Sequence, residues 1–576
     1  MTNLGIKSLL SNQLLSSKSL WIKFYFLVTV GLFLLRVVWF AANYGSIEHD
    51  SGWFLGVAKN LANRGIYGSY INTVDVEGVG VYPSLRRGLA IQDKHGFCYF
   101  PVGVTVGPGY VFPQALLLKI FGNGYWQYRL WPLIAYVGML FSLFYLVWSL
   151  GGMWGLVIFQ IWLWAFPQLT TTFAYEGFGE HIALFYLLVG YSLFLRAYQG
   201  KRKKVLFFFA GCFFAFATLT KLLFLMTLSA FLPVAIWEVF ANRNELKRVF
   251  WRWVSLVAGL VVPFLLFEVY RFLALVPIFG IRTWNIVNSN NHLEFLCGGS
   301  GLHTLGSFNW TFVFQKLMIW PDVGMSDSLI LWLLFLLSPL LFVGRTEKRH
   351  FMLVLVIYCG ALVSFLWFVL ISQYGWTRHA WHALILAMVL ISGGLGITLR
   401  AKVSAWNKES IFSLVVVFLA IAMVTRFDWL EIKPALDDKT IDKWHHTRSY
   451  RKRGILLLGL PHAAIFSFDD QVEVVDFFEK NIRLEDRMYY SELFFVSEIA
   501  TLVDKVFYPL GRYFTNNCQN PDGGQSYLIV GPYQQGRWAF TEEGYTREKI
   551  ARYCEHVIFS NPSYVLCRLR KSIDNY

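Results

Sequence analysis

The chain has 576 residues, 56% of them hydrophobic and only 15% charged, with 53 Phe, 29 Tyr and 23 Trp, a composition that excludes an ordinary soluble globular class. Its formal charge of +15 suits basic inner loops and contacts with anionic lipid; no basic-aromatic recognition module accompanies it, so nucleic acid is not an expected partner. Seven scattered cysteines without a C-x-x-C pair exclude a disulfide scaffold and a zinc ribbon.

The first apolar stretch, Trp21 to Phe40, is about 20 residues long with no small-x-small cleavage site after it, so it reads as a retained span. Next comes a polar outer loop, residues 43–126, opening with Ile-Glu-His-Asp-Ser-Gly-Trp-Phe. Within it Gly109 to Ile120 is apolar but too short to cross and predicts a helix lying in the interface. Further apolar stretches run from Leu130 to Leu150, Trp154 to Thr172, Ile182 to Tyr198, Val205 to Leu219, Leu222 to Phe240 and Val254 to Ala274. Leu329 to Val343, Phe351 to Ile371, Ala383 to Leu399 and Ile411 to Val424 complete the series, about 11 spans in all. The tail changes character: Asp469-Asp470 caps a predicted helix through Val474 to Lys480, and Arg487 to Tyr490 and Ser526 to Val530 read as strands. A helix from Thr546 to His556 and a strand from Tyr564 to Leu569 follow. No G-x-G-x-x-G occurs there, so no cofactor is assigned. Cys518, Cys554 and Cys567 share this tail, and one bridge among them is open.

The expected architecture is a polytopic α-helical membrane domain over residues 1–430 and an extracytoplasmic α/β domain over 431–576. A cytoplasmic amino terminus puts Lys201 to Lys204, Arg243 to Arg252, Arg345 to Arg349 and Arg400 to Lys408 inside, as the positive-inside rule requires. The uncharged loop Gly151-Gly152 carries no such signal. The expected location is the cell membrane, inner or plasma.

Nearly all residues with chemistry then share the outer face. Asp50 is a carboxylate at a membrane boundary beside Glu48 and His49, which suits a general base and equally a helix-capping loop Asp. Glu176 and Glu180 lie four residues apart on an outer turn, and Lys221 interrupts a long apolar run where an ammonium suits a phosphate or snorkels. Arg378 can grip a phosphate, while Trp53 and Trp376 offer sugar-stacking rings or ordinary interface anchors. His379 and His382 make an isolated pair at i, i+3, and no metal is expected from it.

The segment from Asp50 to Tyr67, Asp-Ser-Gly-Trp-Phe-Leu-Gly-Val-Ala-Lys-Asn-Leu-Ala-Asn-Arg-Gly-Ile-Tyr, resembles the first-loop signature of the GT-C membrane glycosyltransferases. It is most similar to the glycosyltransferase family 39 relatives that include protein mannosyltransferases and lipid A aminoarabinose transferases. In that pattern Asp50 precedes an aromatic, Trp53 or Phe54, and Ala58. Thr105-Val-Gly-Pro-Gly with Leu116 to Gly122 resembles the Pro-containing juxtamembrane segment. Gly179-Glu180, Thr220-Lys221 and Arg378-His379 fall where the family has an outer acid, lysine and arginine. The likeness covers roughly residues 20 to 400 and departs at Ser51, which replaces the second acid of an Asp-Glu pair.

What the resemblance implies is inverting transfer of a monosaccharide from a polyprenyl-phosphate donor to a lipid, glycan or protein acceptor. Asp50 would be the base, helped by Glu48 or Glu180. Lys221, Arg378 and His379 would hold the donor phosphate, Glu176, Trp53 and Trp376 would touch acceptor or sugar, and the outer tail would recognise the acceptor. A lipid-linked glycan flippase or exporter and an O-antigen ligase or polymerase are the rival readings.

Overall fold

The computed structural model describes residues 17–72, 91–100, 107–165, 168–171, 174–177, 179–199, 203–285, 310–319, 328–372, 377–402, 468–490, 496–510, 524–531 and 552–570. Its helices in chain order are α1 (Ser17–Tyr44), α2 (His49–Arg64), α3 (Pro108–Phe121), α4 (Tyr125–Ala165), α5 (Gln168–Thr171), α6 (Glu180–Gln199), α7 (Lys203–Thr220) and α8 (Phe224–Leu228). They continue with α9 (Phe231–Ala241), α10 (Leu246–Phe279), α11 (Trp310–Leu317), α12 (Ser328–Leu337), α13 (Lys348–Leu370), α14 (Trp381–Lys402), α15 (Phe468–Asn481) and α16 (Ser497–Leu502). Among the described residues, seven helical segments are long and apolar enough to cross a membrane, and Lys204–Thr220 and Ile330–Leu341 are shorter apolar helices. The chain is an integral membrane protein on these grounds.

Two of the predicted spans fall in α4, where Gly152 adopts φ 63° and ψ −153° and breaks the helix, a conformation open to glycine alone at little cost. The expected charge-free turn at Gly151-Gly152 is this break. The stretch Leu222 to Phe240 is likewise divided between α8 and α9. Ile411 to Val424 lies outside the described residues. Of its 18-residue apolar window, α14 buries 78% against α4 and α13, whereas the window ending in α10 buries 17%. Thus α14 is the centre of the bundle and α10 presents Leu265, Leu266 and Leu273 to the surroundings, as a lipid-facing helix must.

The small sheet of the first loop joins β1 (Gly68–Ser69), β2 (Ile91–Gln92) and β3 (Cys98–Tyr99) in the order β1-β3-β2. In the tail β4 (Arg487–Tyr490), β5 (Phe507–Pro509), β6 (Ser526–Val530), β7 (Cys554–Ser560) and β8 (Val565–Leu569) form a mixed sheet in the order β5-β4-β6-β8-β7. Helix α15 buries Gln471, Val474, Val475 and Phe478, the spacing of one helical face. One prediction is corrected here: Cys554 to His556 are not the end of a helix but the start of β7, paired with β8 and tied to it by the Cys554–Cys567 disulfide. Cross-strand pairing and the bridge override the local helical pattern. Cys518 lies outside the described residues.

The tail does not hang free. Phe507 N–H donates to Tyr70 O at 2.9 Å and Asn72 N–H to Phe507 O at 2.8 Å, so the first loop covers the β5 edge of the sheet. Asp504 takes both Arg64 guanidinium nitrogens, at 3.0 and 2.8 Å, and the Tyr70 hydroxyl, with Lys59 Nζ 3.8 Å away. Burial alone would raise Asp504, but Arg64 first, then Tyr70 and Lys59, hold its carboxyl below the ordinary range. The stabilisation is therefore present above the usual carboxylate pKa and lost as pH falls through the lowered one. Asp504→Ala is expected to lower stability by about 1–2 kcal/mol at neutral pH, with limited proteolysis of the tail as the measurement.

Candidate active site

Two glycine-rich motifs bring the charged residues together. Gly52 and Gly56 lie one turn apart on α2, and α16 packs on them so closely that a Cβ on Gly52 would stand 2.4 Å from Glu498 Cα. Likewise a Cβ on Gly107 would stand 1.6 Å from Leu219 O, so the start of α3 rests on the end of α7 and places Lys221 beside α2.

Asp50 occupies the first turn of α2, with Phe54 one turn further along the same face. Its Oδ2 accepts from Arg378 Nη1 at 3.0 Å, a pair that remains partly open to solvent. Lys221 Nζ meets Glu180 Oε1 at 3.2 Å and stands 5.2 Å from the centre of the Phe54 ring. Phe54 thus carries the Lys221 ammonium over its ring, and the Glu180 charge also acts on Arg378, so the two acid-cation pairs are neighbours. Burial disfavours the Arg378 charge, yet Asp50, then Glu180 and Glu48, more than offset it and raise the guanidinium.

Glu176 sits behind this pairing at 2% exposure, on a turn whose Gly177 approaches Tyr110 and Ser51. Burial first and the Glu48 charge second push its carboxyl well above the ordinary range; the Tyr175 hydroxyl opposes them, and Glu180 and Asp50 add to the rise. It keeps its proton at pH values where an exposed Glu has lost it. Because the folded pKa is raised, this group favours the fold below the ordinary Glu pKa and loses that contribution as pH rises through the raised value. Glu176→Gln is expected to flatten the decline of the thermal midpoint as pH rises above the ordinary Glu range; a decline as steep as the parent's would show that Glu176 does not titrate in the fold.

The remaining predicted residues separate. Glu48 is buried within reach of Glu176. Burial and then the charges of Arg378 and Lys221 push His379 down to about 3, so it enters as a neutral imidazole, 3.4 Å from the Ser372 hydroxyl, rather than as a third phosphate cation beside Lys221 and Arg378. His382 is buried on α14 against the Phe224 ring. Trp53 is 4% exposed and packed in the core, so it presents no open face to a sugar; period 3.6 turns it inward. Trp376 lies outside the described residues. The Ser51 hydroxyl is buried without a hydrogen-bond partner among the described residues. Among them, no group of three or more His, Cys, Asp or Glu is arranged to hold a metal ion.

Arg129 was not anticipated. It is buried on α4, donates to Gly45 O and lies over the rings of Tyr125, Trp126, Tyr175 and Phe468. A lone Arg in Tyr-Trp-Gln-Tyr-Arg looks like an interface belt, and only the fold shows it beside the acidic turn.

The fold that brings these charged residues together has counterparts among solved membrane-protein structures. The structure is similar to that of ArnT from Cupriavidus metallidurans bound to undecaprenyl phosphate, at TM-score 0.56 and 13% identity over 97% of this chain and 100% of that one. The apo state of the same protein gives 0.54 and 12% over the same shares. The Archaeoglobus fulgidus oligosaccharyltransferase in complex with zinc and sulfate gives 0.46 and 13%, over 94% of this chain and 72% of that one. No protein-family model and no curated protein matches the chain.

Proposed function

We propose that the protein is a membrane glycosyltransferase that moves a monosaccharide, with inversion, from a polyprenyl-phosphate sugar to an acceptor hydroxyl on the extracytoplasmic face. The observation that carries this reading is the pairing of Asp50 with Arg378 and of Glu180 with Lys221 as neighbouring ion pairs. It stands in a fold similar to one solved with undecaprenyl phosphate bound. Each acid parks a cation that a phosphate can claim, and claiming Arg378 frees Asp50.

The released Asp50 carboxylate takes the proton of the acceptor hydroxyl as its oxygen attacks the anomeric carbon. The bond from that carbon to the phosphate oxygen breaks, its electron pair stays on the phosphate, and Lys221 and Arg378 stabilise the added charge. Residues 1–430 carry this chemistry across about 11 spans and residues 431–576 form the outer domain. The amino terminus is cytoplasmic by charge bias, and the Cys554–Cys567 bridge suits an oxidising outer compartment. The test is purified protein with a panel of synthetic polyprenyl-phosphate sugars, together with mass spectrometry of surface glycolipids and glycoproteins after deletion. Loss of one sugar names donor and acceptor; a panel that yields no transfer, with lipid-linked sugar moved across vesicles instead, gives precedence to a flippase.

A further inference from the structure

The tail grips the main chain on both sides of Asp50. Gln471, fully buried on α15, accepts from Ile47 N–H at 2.9 Å and donates to Ile47 O at 3.0 Å. Thr501 on α16 donates its hydroxyl to Gly52 O at 2.8 Å. Lys59, two turns further along α2, closes the clamp by donating to Thr501 O at 2.7 Å and Leu502 O at 3.3 Å. The absent side chain of Gly52 is what allows Glu498 to lie against the helix.

These bonds hold backbone, so they are independent of what the Asp50 side chain is doing. That matters because the Asp50–Arg378 pair cannot itself orient the base during the reaction: a donor phosphate competes for Arg378. We infer that Gln471 and Thr501 are positioning residues, which keep Asp50 aimed at the acceptor once Arg378 has turned to the phosphate. The inference rests on reading Asp50 as the acceptor base. It gives the tail a part in catalysis as well as any contact with the acceptor. A misplacement of about 1 Å at a reacting group costs on the order of 100-fold in rate, so three hydrogen bonds that fix the backbone on either side of Asp50 are enough to matter.

Two measurements on the full-length protein test it. In the first, Gln471→Met with Thr501→Val keeps side-chain bulk and removes all three bonds. Turnover with the transferred polyprenyl-phosphate sugar is expected to fall about tenfold or more, with the donor KM and the stoichiometry of donor binding unchanged. Restoring the hydroxyl with Thr501→Ser in place of Thr501→Val recovers part of the rate, and in an Asp50→Asn background the pair causes no further loss. A merely structural role would lower the stoichiometry and add its loss in either background, and either result overturns the inference, as does unchanged turnover.

The second measurement needs no activity. Asp50→Cys and Arg378→Cys are introduced with the cysteines outside the Cys554–Cys567 bridge replaced by Ser, which removes the ion pair and leaves the clamp to fix the backbone at position 50. The rate of cross-linking by a short bifunctional methanethiosulfonate is expected to fall several-fold when Gln471→Met and Thr501→Val are added. An unchanged rate overturns the inference. Slowed cross-linking in a protein that transfers sugar from no donor supports the clamp and defeats the glycosyltransferase reading, so the two failures are told apart.

Discussion

Replacing Asp50 by Asn is expected to lower sugar transfer by about 10³-fold while donor binding is retained, the range lost when a positioned general base is removed. Asn keeps the shape and still accepts from Arg378 through its carbonyl, so the 3.0 Å contact and the first turn of α2 survive. What disappears is the capacity to take a proton. Single-turnover transfer from a synthetic polyprenyl-phosphate sugar, with donor affinity measured separately, separates the two effects. Equal rates for Asp50→Asn and the parent would remove Asp50 from the role of base, and a loss confined to donor affinity would make it an anchor for the cation.

Lys221→Met is expected to reduce turnover about 100-fold, the scale of one lost donor to a developing anion. It also breaks a pair whose acid is almost fully buried, since the Glu180 side chain is 5% exposed. Leaving such a charge uncompensated costs about 3–5 kcal/mol, so the variant should also melt at a lower temperature. Adding Glu180→Gln neutralises the orphaned acid and should restore most of the lost stability without restoring transfer. Recovery of both together would mean that Lys221 serves the fold alone.

Charges that interrupt apolar sequence are costly, and that cost makes Asp50, Glu180, Lys221 and Arg378 legible in the amino-acid sequence itself. Each sits at a helix end, and the fold brings the four together as two neighbouring ion pairs. The apolar runs announce their helices for the same reason. Trp53 misleads because an aromatic near an acid suggests a sugar surface, while only packing shows that its face of α2 points into the core. Gln471 and Thr501 give no signal at all. They are neutral side chains in the polar tail, and their meaning lies wholly in main-chain partners more than 400 residues upstream. The helix expected at Thr546 to His556 fails at its end, where pairing with β8 decides the conformation of Cys554 to His556.

The spacing of that clamp has a consequence for how the protein is made. Ile47 and Gln471 are 424 residues apart and Gly52 and Thr501 are 449 apart. A ribosome adding roughly 5–20 residues per second therefore takes on the order of 20–90 seconds between delivering the acid and delivering its keepers. Through that interval the nascent chain already holds Asp50 at the bilayer but lacks the parts that aim it. On the proposed function, a chain cut short before α15 carries Asp50 without the residues that position it and is expected to transfer no sugar.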